Sequence, residues 1–164
     1  ASVIKHQVET LRRLKYRPTG GFAVYSLADS DPRVSWSVLD HERVPKAGYA
    51  ALQAACRPVI VVAERLPAEA TVGQPLELDV HVVSDRRAAL PDAVVTARLA
   101  WDGGQQDWRF GGTIPADSCV RVGAVSITVP DAPGIWRLEL ALSGPDEHVT
   151  NTYDGHITRS PAAG

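Results

Sequence analysis

The chain has 164 residues, of which 45% are hydrophobic and 22% charged, and its formal net charge is −2. This composition is typical of a globular protein, and no apolar run approaches the ~20 residues that a membrane-spanning helix needs. The arginines are scattered and form no concentrated basic segment. Since phosphate binding needs a concentrated basic face, we predict neither nucleic acid nor a membrane as a partner.

The first predicted element is an amphipathic helix over residues 2–17. Val8, Leu11 and Leu14 recur at three-residue spacing with charged residues between them, which is helical periodicity. Pro18 ends the helix, because a residue before proline is disfavoured in the helical conformation.

A strand, a polar loop and a second helix are predicted next. Residues 22–27 form a short apolar run after two glycines, which is typical of a buried strand. The polar residues 28–43 then form a loop, and Pro45 suits the first turn of a helix over residues 45–55. Residues 1–57 are therefore predicted to form a helix, a strand, a loop and a helix.

After Pro58 the apolar period changes from about 3.6 residues to about 2, which predicts a domain boundary and the start of β structure. Seven short alternating runs follow, separated by Gly, Pro, Asp or Ser clusters. They cover residues 59–66, 76–83, 94–101, 107–114, 120–129, 135–142 and 148–157. This pattern predicts a mainly β chain with a seven-stranded immunoglobulin-like β-sandwich over residues 58–160.

Residues 20–49 carry a specific motif that spans the predicted strand, loop and second helix. The motif resembles the last barrel strand and helix of glycoside hydrolase family 2, especially its β-mannosidase-like members. The matching positions are Gly21, Leu27, Asp29, Pro32, Ser35, Trp36, Ser37, Asp40, Lys46 and Tyr49. Enzymes of that family place an immunoglobulin-like domain after the barrel, and the Asn151-x-Tyr153 pair resembles the last strand of such domains.

A complete (β/α)₈ barrel takes roughly 250 residues. The resemblance therefore implies that residues 1–57 are the C-terminal remnant of a catalytic barrel, followed by the immunoglobulin-like domain. Four positions that are expected to touch sugar depart from the family pattern. They are Tyr25 for tryptophan, Ser26 for glutamine, Ala28 for asparagine and Asp31 for a second tryptophan.

Three residues are the predicted substrate contacts under this resemblance. The Tyr25 ring offers a platform for the CH face of a sugar, and the Asp29 carboxylate can accept hydrogen bonds from sugar hydroxyls. Trp36 could stack on sugar in the same way, or could serve as a packing anchor where the loop meets the helix.

No catalytic residue is predicted in this chain. Retaining glycosidases use two carboxyl groups about 5–5.5 Å apart, and the family takes both, as glutamates, from earlier barrel strands. Glu9, expected on the solvated face of the first helix, and Glu42, just before the second, match neither position. The resemblance implies a C-terminal fragment of a retaining β-glycosidase that hydrolyses O-glycosidic bonds, inactive by itself.

Two alternatives remain for the β region. It could be a carbohydrate-binding module, with Trp101 and Trp108 exposed beside a turn and Trp136 in the core. Alternatively, it could be a structural accessory domain that supports the barrel and binds no ligand.

The histidines show no HxxxH or Cys-paired spacing, so we predict no metal and no cofactor. Cys56 and Cys119 fit either two free thiols or one bridge. Residues 22–27 would lack the neighbouring barrel strands, so this strand is expected to pack on the sandwich or to pair between two copies in a homodimer.

Overall fold

The computed structural model describes residues 2–159. The chain divides into two compact units between Pro58 and Val59. The first unit contains the helices α1 (Ser2–Arg13) and α2 (Tyr49–Ala55). The second contains the strands β1 (Val59–Ala63), β2 (Glu69–Thr71), β3 (Pro75–Ser84), β4 (Leu90–Trp101), β5 (Gly104–Ile114), β6 (Ser118–Thr128), β7 (Gly134–Gly144) and β8 (Glu147–Thr158). No helix in residues 2–159 is long and apolar enough to cross a membrane.

A buried arginine joins the two helices of the first unit. Arg12 Nη1 donates hydrogen bonds to the carbonyl oxygens of Ala55, at 2.6 Å, and Arg57, at 2.7 Å. These carbonyls lie at and just beyond the end of α2, where a cation is favourable because the helix dipole is negative there. Glu9 lies on α1 and is also buried, with its carboxylate 3.9 Å from Lys5 Nζ. Its predicted place on the solvated face of the helix is therefore wrong.

Both predicted helices are shorter than expected. The first ends at Arg13 rather than near residue 17, because Tyr16 takes a positive φ of 61° and the chain turns back, with Thr19 N donating to Leu14 O at 3.0 Å. The second begins at Tyr49 and not at Pro45, because Lys46 N donates to Val38 O and so belongs to the preceding loop.

The predicted buried strand over residues 22–27 is wrong. These residues form no ladder, and Tyr25 and Leu27 are 99% and 57% exposed. A buried strand needs hydrogen-bonding partners on both sides, and the described residues of the first unit contain no other strand. The described residues of the first unit therefore show no barrel structure, and pairing of residues 22–27 between two copies stays a prediction.

The second unit consists of two sheets. The first sheet is antiparallel, in the order β1-β3-β6. The second has the order β2-β8-β7-β4-β5 and is antiparallel except for β2, which runs parallel to β8. All seven predicted runs coincide with strands. The short β2 was missed because three residues are too few to show a period.

The core of this unit lies where the alternation predicted it. Leu78, Val80 and Val82 on β3 are buried, as are Trp136 and the alternate leucines that follow it on β7. Side chains two residues apart share one face of a strand, so each run supplies one apolar row. Both sheets contribute to one continuous apolar cluster.

Polar contacts also link the two sheets. Asn151 Nδ2 donates to Val61 O at 2.8 Å and to the Tyr153 hydroxyl at 2.9 Å. That hydroxyl accepts a hydrogen bond from Ala63 N at 3.3 Å. The Asn-x-Tyr pair therefore links β8 to β1 through hydrogen bonds to the β1 backbone.

Candidate functional site

Residues 20–47, here called the motif loop, are organised by backbone hydrogen bonds although they form no sheet. Leu39 N donates to Leu27 O at 3.0 Å, and Asp29 N donates to Leu39 O at 3.1 Å. Lys46 N donates to Val38 O at 2.8 Å. Three passes of the chain, near residues 28, 38 and 45, therefore lie side by side.

A buried carboxylate anchors the motif loop. Asp29 is only 5% exposed, and its oxygens accept hydrogen bonds from Lys46 Nζ and from the hydroxyls of Ser35 and Ser37, the last at 2.6 Å. Lys46 Nζ also lies 2.9 Å from Ser37 Oγ. The three donors hold the pKa of Asp29 well below its usual range, against the opposing effect of burial.

Asp40 serves the same loop as a turn residue. Its Oδ1 accepts hydrogen bonds from the backbone N–H groups of Glu42, at 2.9 Å, and Val44, at 2.8 Å. Between them Arg43 takes a positive φ of 68°. An aspartate that bonds the backbone ahead of it is a common way to close such a turn.

Trp36 lies in the segment that the Asp29 carboxylate anchors. Ser35 and Ser37 both direct their hydroxyls to Asp29, Ser37 N donates to Ser35 Oγ at 3.0 Å, and the chain bends at Trp36. Trp36 lies between them and is 92% exposed. The alternative interpretation was that Trp36 is a packing anchor where the loop meets the helix. Its exposure within the described residues does not fit that role.

The structure thus leaves two of the three predicted substrate contacts, Tyr25 and Trp36, almost fully exposed, and buries the third, Asp29. Exposed aromatic rings can stack on the apolar face of a sugar. The Asp29 carboxylate is already occupied by three donors, so its direct contact with a substrate stays a prediction. Sequence reasoning missed the positioning roles of Ser35, Ser37 and Lys46, although all three belong to the motif.

The second candidate surface, formed by Trp101 and Trp108, is not an exposed pair. Both side chains are partly buried and pack against the main apolar cluster. The Trp101 ring covers Gly104 so closely that a Cβ there would lie 2.8 Å from Nε1. These contacts give both tryptophans a packing role. Cys56 and Cys119 form no disulfide bridge with each other in the structure.

No protein-family model and no curated protein matches the chain. Among solved structures, it is similar to the exo-chitosanase CsxA of Amycolatopsis orientalis, with a TM-score of 0.69 and 16% sequence identity over 92% of this chain and 18% of that one. A variant of the same enzyme in complex with PNP-beta-D-glucosamine matches with a TM-score of 0.68, at the same identity and coverage. This likeness shows a shared fold, and the chain spans less than a fifth of that enzyme.

Proposed function

We propose that this chain is the C-terminal part of a retaining β-glycosidase of glycoside hydrolase family 2, β-mannosidase-like in its motif. Residues 1–57 would then be the remnant of the (β/α)₈ catalytic barrel, and residues 58–160 its immunoglobulin-like domain. Two independent features support this: the motif of residues 20–49, and the fold likeness to a chitosanase over 92% of the chain. The observation that carries the proposal is the anchored loop that leaves Tyr25 and Trp36 exposed.

In this proposal the motif loop forms part of the rim of the sugar site. Tyr25 and Trp36 stack on sugar rings, and Asp29 orders the loop segment that bears Trp36 through its bonds to Ser35 and Ser37. A hydrogen bond from a sugar hydroxyl to Asp29, as predicted, would require Ser35 or Ser37 to break its own hydrogen bond to that carboxylate. A positioning role for Asp29 needs no such change.

The catalytic acids of the proposed enzyme lie outside this chain. Hydrolysis of the O-glycosidic bond by a retaining mechanism needs a nucleophile and an acid/base, both carboxyl groups. Glu9 is buried beside Lys5 and Glu42 lies in an exposed turn, so neither suits these roles. We therefore expect the chain alone to hydrolyse no glycoside.

The sugar is proposed as a β-D-glucosaminide or a β-D-mannoside. The motif is mannosidase-like, but it departs from that pattern at Tyr25, Ser26, Ala28 and Asp31. The structural neighbour is an exo-chitosanase, studied with a β-D-glucosamine ligand. The two sugars differ at carbon 2, so a comparison of their aryl glycosides separates the two candidates.

The first test is the coding sequence upstream of Ala1. Preceding β/α units with a glutamate after strands four and seven would support the proposal, and their absence would overturn it. In the parent enzyme, Tyr25→Ala and Trp36→Ala should each lower kcat/KM for the preferred aryl glycoside by about tenfold or more. Tyr16→Ala is the matched control, because Tyr16 is also exposed but lies outside the motif loop.

A purely structural role for the second unit is the second candidate. It is favoured by the packing of Trp101 and Trp108 against the core, which removes them as an exposed binding pair. If the parent retains full activity and stability without residues 59–164, this role fails.

A further inference from the structure

The outer face of the second sheet contains a groove of about 570 Å³, within the size range of small-ligand sites. Four strands contribute to it: β5, β4, β7 and β8. Its outward-facing side chains form two rows that cross the strands. The first row is Arg109, Thr96, Ala141 and Thr150, and the second is Asp107, Arg98, Glu139 and Thr152.

The groove exists because a small residue occupies the middle of the first row. Ala141 is paired with Thr96 on one side and with Thr150 on the other. In the second row the longer Arg98 and Glu139 are direct partners. Adjacent strands lie about 4.8 Å apart, so the first row extends about 14 Å from Arg109 to Thr150.

Several polar groups in the groove have no partner within the described part of the chain. Arg98 is satisfied, since its Nε lies 2.7 Å from Asp107 Oδ1. Arg109, by contrast, makes no ion pair or hydrogen bond with its side chain in residues 2–159, and the hydroxyls of Thr96 and Thr150 make none there. The Glu139 carboxylate interacts electrostatically with Arg98 and Arg137 but forms a hydrogen bond with neither.

The charges of the two rows and of the neighbouring Arg137–Asp154 pair balance. Three arginines are matched there by three carboxylates: Arg98, Arg109 and Arg137, with Asp107, Glu139 and Asp154. A polyanion or a polycation would meet as much repulsion as attraction on such a surface. A hydroxyl both donates and accepts, so a polyol can use a guanidinium, a carboxylate and a threonine hydroxyl together.

We propose that this groove binds a short neutral oligosaccharide that lies across the strands. Its hydroxyls accept hydrogen bonds from Arg109 and donate to Glu139, and they exchange hydrogen bonds with Thr96 and Thr150. One apolar CH face lies over the Ala141 methyl group. This site shares no residue with the motif loop and does not depend on the proposed enzyme.

The test is a titration of the whole chain, followed by amide NMR shifts, with cellotriose, mannotriose and xylotriose up to about 10 mM. At least one neutral trisaccharide should shift the amides of residues 96, 109, 141 and 150. Ala141→Leu fills the floor and should weaken binding by tenfold or more, and Arg109→Ala by roughly tenfold. Ala100→Leu is the matched control, because Ala100 lies on the same face of β4 outside the groove.

The titration would overturn the proposal if it gave no shift with any neutral trisaccharide, shifts only with a galacturonate or glucosamine trimer, or unchanged affinity in Ala141→Leu. The double variant Tyr25→Ala, Trp36→Ala separates this site from the motif loop. Groove binding should persist in that variant. Binding that the double variant abolishes belongs to the motif loop and counts against the groove.

Discussion

Trp36 and Trp136 show how differently the two units of this chain are built. Trp136 is completely buried in the second unit, among alternate leucines on β7 and the apolar rows of the facing sheet. Trp36 is 92% exposed in the first unit, between two serines that bond to one carboxylate. The second unit is held by ladders and a shared apolar core, whereas the motif loop depends on a few polar contacts.

The two units differ in how much apolar surface they bury. Burial of apolar surface is the main stabilising contribution in folding, and the second unit buries its own. The motif loop, by contrast, exposes the large apolar side chains of Tyr25, Val34 and Trp36. Under the proposed function, the sugar would cover Tyr25 and Trp36, which both lie in the first unit.

Trp136→Ala should have the largest effect on stability. Removal of a buried aromatic ring lowers the free energy of unfolding by about 3–5 kcal/mol, and Trp36→Ala, the matched control, should change it by less than about 0.5 kcal/mol. Trp136 Nε1 has no hydrogen-bond partner among the described residues, so the loss is one of packing. Urea denaturation followed by far-UV circular dichroism measures both.

If Trp136→Ala does not fold, Trp136→Phe should still show a measurable loss of stability. Equal effects of the changes at Trp36 and Trp136 would contradict the comparison between the two units.

Gly155→Ala should be the next most damaging change. A Cβ at this position would lie 2.3 Å from Trp136 Nε1 and 2.5 Å from Pro67 O, so the core must shift to accept it. Overpacking of this kind costs about 1–3 kcal/mol. Gly112→Ala on β5 is the control, since its Cβ would meet nothing within 4 Å. If thermal melts show a larger loss of stability for Gly112→Ala than for Gly155→Ala, Gly155 does not lie as close to Trp136 and Pro67 as the structure places it.

Tyr153→Phe should destabilise the second unit by about 1 kcal/mol. The change removes the hydroxyl that accepts from Ala63 N and from Asn151 Nδ2, and so weakens the link between β8 and β1. Tyr25→Phe removes an exposed hydroxyl and should have no measurable effect. Amide hydrogen exchange should accelerate at residues 61–63 in Tyr153→Phe. Unchanged exchange at these residues would indicate that packing of the Tyr153 ring, and not its hydroxyl, stabilises β1.

Asp29→Asn should have the smallest effect on global stability, confined to the first unit. The pKa of Asp29 is lower in the folded chain than in the unfolded one, so its contribution is complete above the ordinary Asp value of about 3.9 and is lost as the pH falls through the lowered value. The wild-type motif loop should therefore loosen in acid, as reported by Trp36 fluorescence.

In Asp29→Asn, the Trp36 signal should already be that of a loosened loop at neutral pH and should change less in acid. Asp31→Asn is the control, because Asp31 is exposed and pairs only with nearby polar groups such as Arg33. Identical acid profiles for Asp29→Asn and the wild type would disprove the anchor role.

The alternation of the second unit could be read from the sequence because a strand with one buried face repeats every two residues. Each of the seven runs is a strand, and Trp136 lies in the core as its position beside Leu138 and Leu140 indicated. The short strand β2 carries no period, and its pairing with β8 depends on residues nearly ninety positions away. Similarly, no local pattern showed that Ala141 would form the floor of a groove.

The sequence by itself determined the mainly β character of the second unit, its inward-facing rows and the motif that places Tyr25, Asp29 and Trp36 in one segment. These depend on local periodicity and on residue identity. Only the tertiary structure decided that residues 22–27 form no strand, that Asp29 is buried under three donors, and that Trp101 and Trp108 pack inward. The physical reason is that strand pairing and burial depend on partners distant in the chain, which local composition does not specify.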